Sequence, residues 1–89
     1  MPRPFRVDIS LAGAADQVEK WRADAELADA VAAMGGSELA VEDNDGDLQI
    51  TYRIEGGAEH QVLEQADTLA GLFLPRGYSF GVTHWSADW

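Results

Sequence analysis

Two stretches that alternate strictly between apolar and polar residues constrain this 89-residue chain more than any other feature. In FRVDISL, residues 5 to 11, Phe5, Val7, Ile9 and Leu11 fall on one side of an extended backbone, and Arg6, Asp8 and Ser10 fall on the other. In DLQITYRIE, residues 47 to 55, Leu48, Ile50, Tyr52 and Ile54 alternate in the same way with Gln49, Thr51, Arg53 and Glu55. Successive side chains of a strand point to opposite faces, so each stretch reads as a strand with one buried and one wet face. Sheets with one wet face are antiparallel, and their apolar face needs a covering layer.

The rest of the chain supplies that layer. After the small-residue loop AGAA, Asp16 is placed to cap a helix, and Val18, Trp21, Ala25, Ala28 and Ala32 recur at helical spacing until Gly35 and Gly36. The spacing predicts one amphipathic helix of about five turns. ELAVED, residues 38 to 43, reads as a further strand. It is joined to DLQITYRIE by DNDGD, whose Asp45–Gly46 pair suits the positive φ of a tight hairpin. Gly56 and Gly57 end the hairpin. A second helix is expected from about Ala58, with Val62, Leu63, Ala66, Leu69, Ala70, Phe73 and Leu74 on one side and Pro75 to Gly77 as its stop. YSFGVTHW then reads as a last strand with Tyr78, Phe80 and Val82 inward.

The element order is β-α-β-β-α-β, and each β-α-β half crosses over right-handedly. In topology this resembles the ferredoxin-like fold: an α+β, four-stranded antiparallel sheet with two helices packed on one face. The resemblance implies that the first and third strands are central and that the last strand pairs with the first. A single domain over residues 1–89 is expected, since a chain this short with 46% hydrophobic residues and three tryptophans fills one modest core.

Charge and composition narrow the function. Sixteen acidic residues face six basic ones, for a formal net charge of −10, a field that repels phosphate backbones and anionic lipid. Direct nucleic-acid binding and membrane binding are therefore not expected, whereas a protein with a basic surface is a suitable partner. No cysteine is present, which removes disulfides, thiolate metal sites and thiol nucleophiles. No apolar run approaches the roughly 20 residues of a membrane span, and MPRPFRVDIS lacks the apolar segment of a secretory signal, so a cytoplasmic location is expected.

The candidate chemical sites are weak. DNDGD has three alternate aspartates, but no register supplies the ligands of an EF-hand: with Gly46 at position 6, positions 1 and 12 are Val41 and Tyr52. The aspartates read as turn residues. His60 and Glu64 are one helical turn apart, a spacing that serves a solvated ion pair as well as two metal ligands. His84 has no partner evident in the sequence, and no nucleophile is flanked by a base and an orienting group. AGAAD opens a helix after a strand, as anion-binding loops do, yet lacks any phosphate-loop pattern. No enzyme activity, metal or cofactor is expected.

Contact residues are better candidates. With the helical stripe centred on Trp21, Ala25, Ala28 and Ala32, Leu27 and Met34 project away from the core, and Leu72 is displaced in the same way on the second helix. Glu19, Glu26 and Asp29 lie on the outer face of the first helix beside Ala23, Ala30 and Ala33, giving a smooth negative surface. Period two places Trp85 with Thr83 on the helix-free face of the sheet, where Arg6, Asp8, Gln49, Thr51 and Arg53 also lie; tryptophan and arginine are frequent interface anchors. The expected function is binding to another protein, as an inhibitor or nucleic-acid-mimicking decoy that occupies a basic surface, in the manner of viral antidefence proteins. The alternative is a ligand-sensing domain or one that assembles with further copies of itself, as a homodimer for example.

Overall fold

The computed structural model describes residues 4–55 and 58–84. Its elements run β1 (Phe5–Leu11), a 3-10 turn (Ala15–Gln17), α1 (Val18–Arg22), α2 (Ala25–Ala33), β2 (Gly36–Asn44), β3 (Asp47–Ile54), α3 (Glu59–Phe73) and β4 (Tyr78–His84). The strands form one open, wholly antiparallel sheet in the order β2-β3-β1-β4, with β1 and β3 central. Both alternating stretches therefore lie where burial is greatest. Phe5, Val7, Ile9 and Leu11 of β1 are buried, and so are Leu48, Ile50, Tyr52 and Ile54 of β3. The β1–β3 register places Val7 opposite Tyr52 and Ile9 opposite Ile50, so the two apolar rows share one face. Val18, Trp21, Leu27, Val31, Val62, Ala66, Leu69 and Ala70 of the helices join them in one contiguous core. The other face of the sheet carries no helix among the described residues.

The expected single first helix is two helices, so three helices cover the sheet. α1 ends at Arg22 with Ala23 as its C-cap, the backbone turns extended at Asp24, and Asp24 restarts the helix as an N-cap: its Oδ1 accepts from the backbone N–H of Glu26 at 2.8 Å and of Leu27 at 3.2 Å. Asp16 caps nothing; it lies inside the 3-10 turn that precedes α1. The break resets the phase. Leu27 and Val31 turn inward, whereas Ala25, Ala28 and Ala32, expected to form the stripe, are exposed. Burying a leucine and a valine outweighs burying three alanines, because the favourable term scales with apolar area removed from water. The break thus corrects the assignment of Leu27 as an outward contact residue: it is 1% exposed.

The second predicted helix is α3, with Val62, Ala66, Leu69, Ala70 and Leu74 buried as expected. Phe73 meets Trp21 edge-on, with ring centroids 5.9 Å apart, and this contact ties α3 to α1. DNDGD is the β2–β3 hairpin. Asp45 (φ 56) and Gly46 (φ 93) both occupy left-handed backbone, as a tight hairpin turn requires. The outer strands are less buried than the central ones. Phe80 of β4 pairs with Ile9 and so faces the helix side, yet it is 37% exposed because it lies at the sheet edge.

Candidate functional site

The helix-free face of the sheet is a bonded polar layer. Asp8, on central β1, accepts through Oδ1 from Arg6 Nε at 3.1 Å, Gln49 Nε2 at 3.2 Å and Thr51 Oγ1 at 3.3 Å. Arg6 stands directly across from Arg53 on β3, and the Arg53 guanidinium donates to Glu55 Oε1 at 2.7 Å. The two like charges are thus each matched by a carboxylate. All of these side chains except Glu55 are half-buried without any helix above them. Sequence alternation places these residues on one face but does not reveal Asp8 as their common acceptor, because that depends on cross-strand register. Trp85, the tryptophan expected on this face, lies outside the described residues.

The negative helical surface is present in altered form. Glu26 and Asp29 are exposed on α2, with Ala33 exposed beside them as expected and the displaced alanines Ala25, Ala28 and Ala32 exposed around them, whereas Ala30, expected on this face, is half-buried against the core. Glu19 is exposed on α1 but ion-paired to Arg22 at 3.1 Å. Arg22 in turn donates to the carbonyl of Val41 through Nη2 at 2.7 Å and Nε at 3.2 Å, joining α1 to β2. Lys20 Nζ lies 4.7 Å from the centre of the Trp21 ring.

Met34 is half-buried against the core at the end of α2, and so is only partly the outward residue expected. Together with Gln61, Glu64, Gln65 and Thr68 of α3 it lines an open cleft of about 480 Å³. Leu72 is 74% exposed, as expected, and continues the 61-65-68 row of α3 by helical spacing. The site residues do not converge. Glu26 and Asp29 share the outer face of α2, Met34 and Leu72 flank the cleft side, and Arg53 is on the opposite side of the sheet.

The acidic hairpin has internal tasks. Asp43 Oδ1 accepts from Gly46 N at 2.9 Å across the turn, and Asp47 Oδ1 accepts from Gly13 N at 2.9 Å. The second bond bears on the AGAAD loop: its amide already holds a carboxylate, and the carboxylate belongs to its own chain. Among the described residues, no group of three or more His, Asp or Glu is arranged to hold a metal ion. His60 and Glu64 are exposed on α3, while His84 stacks on Phe5 with ring centroids 5.3 Å apart. Tyr78 donates to Asp67 Oδ1 at 2.7 Å, and this hydrogen bond raises its phenol pKa. Tyr52 is fully buried with no hydrogen-bond partner for its hydroxyl among the described residues, and burial pushes its pKa up to about 12.

Among the described residues no helix is long and apolar enough to cross a membrane. No family model matches the chain, and no curated protein matches it. Similarity appears at the level of solved structures. A crystal structure of an unknown protein from Galdieria sulphuraria aligns with a TM-score of 0.53 and 11% identity over 97% of this chain and 46% of that one. This chain therefore spans less than half of that protein, and at that identity the likeness concerns the fold alone. A de novo designed protein, Ferredog-Diesel, aligns with a TM-score of 0.49 and 16% identity over 93% of this chain and 86% of the design.

Proposed function

We propose that this chain is a ferredoxin-like domain that acts without catalysis by binding another protein, presenting the acidic outer face of α2 to a basic surface as an inhibitor or decoy would. Its strand order β2-β3-β1-β4 and its β-α-β-β-α-β connectivity, with the helical segment after β1 divided, support the fold reading. One observation carries the functional reading. Three arginines are engaged with groups of their own chain, Arg6 with Asp8, Arg22 with Val41 and Glu19, and Arg53 with Glu55, while Glu26 and Asp29 stand exposed among alanines. Glu26 and Asp29 give the outer face of α2 a negative charge on a chain of net charge −10, and complementary fields speed encounter with a basic partner. The concrete form is a protein that covers a nucleic-acid-binding surface.

The test uses immobilised chain carrying Glu26→Lys and Asp29→Lys, compared with wild type and with a control carrying the same charge change elsewhere, Glu42→Lys and Glu59→Lys. A basic protein retained by wild type and the control, lost from the α2 variant and released by added salt supports the reading. Equal retention by all three removes α2 as the contact surface.

A further inference from the structure

The two outer strands of the sheet are built differently. β2 is protected against pairing: it carries Glu38, Glu42 and Asp43, its register shifts between Ser37 and Ala40, and Glu38 takes a positive φ of 54°. Charges and bulges of this kind are how sheets prevent edge-to-edge association. β4 has none of these devices. Tyr-Ser-Phe-Gly-Val-Thr-His contains no acidic residue, no lysine or arginine and no proline, and it pairs without interruption with β1 from Tyr78 to His84. Its other side has no strand beside it among the described residues, so alternate residues direct their backbone N–H and C=O groups away from the sheet.

β4 is also self-complementary about its central residue, Gly81. Reading outward, Phe80 mirrors Val82, Ser79 mirrors Thr83 and Tyr78 mirrors His84. The β1 register puts Tyr78, Phe80, Val82 and His84 on the helix side and Ser79, Gly81 and Thr83 on the open side. We propose that β4 pairs antiparallel with β4 of a second copy of this chain, about a two-fold axis through Gly81, joining the two sheets into one. Phe80 then faces Val82 of the second copy, Tyr78 faces its His84 and Ser79 faces its Thr83. Aromatic to β-branched and Ser to Thr are both favourable cross-strand pairs, and a two-fold interface requires this reciprocity. Phe80, one of the two large hydrophobic residues exposed among those described, is covered by the pairing. This interface is separate from the α2 surface, and salt distinguishes them. Screening relieves repulsion between two −10 chains and tightens the pairing, whereas it weakens an acidic surface bound to a basic partner.

The experiment is sedimentation of the purified chain across about 1 μM to about 1 mM, spanning the range of weak to moderate association, with hydrogen exchange of the β4 amides at both ends of the range. The expected result is a mass that rises toward twice that of one chain, with β4 protected at high concentration. Two double variants test the register. Ser79→Lys with Thr83→Lys opposes lysines at both mirrored pairs and should weaken association about tenfold, although it lowers the net negative charge. Ser79→Lys with Thr83→Glu opposes unlike charges and should restore it; circular dichroism confirms that both fold. A mass of one chain throughout with unprotected β4 overturns the proposal, and so does a dimer indifferent to the lysine pair. Uptake of a strand from a different protein by a chain that alone stays monomeric also overturns it.

Discussion

Replacing Leu27 with alanine tests the division of the first helical segment. Leu27 is 1% exposed on the inner side of α2, so truncation removes about 1.5–3 kcal/mol of burial and leaves a cavity. Together these amount to about 2–5 kcal/mol for a leucine in a closely packed core. A chain of this length has a total stability of about 4–13 kcal/mol, so the loss is a large share of the whole. The paired control is Ala28→Glu. Ala28 is exposed beside Leu27, and its replacement should change stability by no more than about 0.5 kcal/mol. Urea unfolding followed by tryptophan fluorescence reads both. With a slope of about 1–3 kcal/mol per M, the Leu27→Ala midpoint should fall by about 1 M or more while that of Ala28→Glu stays in place. An unchanged midpoint for Leu27→Ala together with a lowered one for Ala28→Glu would refute the reasoning. That pair of results is what an uninterrupted helix with Ala25, Ala28 and Ala32 inward would give.

Gly36 begins β2 where a Cβ would lie 2.6 Å from Val31 Cγ1 and 2.9 Å from the Val31 carbonyl oxygen; because backbone cannot swing aside, Gly36→Ala should cost about 1–3 kcal/mol in the same unfolding assay. Tyr52→Phe deletes a buried hydroxyl that has no partner among the described residues, so its midpoint should equal or exceed that of wild type; a marked loss of stability would show that the hydroxyl is bonded. The same variant has a pH signature. The folded Tyr52 pKa of about 12 exceeds its unfolded value of about 10, so this phenol's contribution is complete below pH 10 and is lost as pH rises toward 12. Wild type should therefore lose about 2–3 kcal/mol relative to Tyr52→Phe between those limits, read as the difference between their thermal midpoints.

Much of the fold is legible in local patterns because those patterns reflect local physics. Strand faces follow from period two, the hairpin from Asp45–Gly46, and the α3 core side from Val62, Ala66, Leu69 and Ala70. The contact surface was less legible. Glu26, Asp29 and Leu72 are exposed as their spacing predicts, but Leu27 is not, and Met34 is half-covered. The error has one source: a stripe of small residues in ADAELADAVAAM fits several helical phases, and periodicity alone does not detect a two-residue interruption.

Which residues of β1 and β3 face inward, where the chain turns and how strongly negative it is can be read along the chain, since alternation, glycine conformation and charge need no distant partner. That Asp24 restarts the helix so that Leu27 and Val31 turn inward, that Asp8 gathers Arg6, Gln49 and Thr51, and that Asp47 holds the Gly13 amide all depend on the folded arrangement. These contacts join residues up to 43 positions apart. Their free energy exists only once the sheet register has brought the partners together, so no local window of sequence contains it.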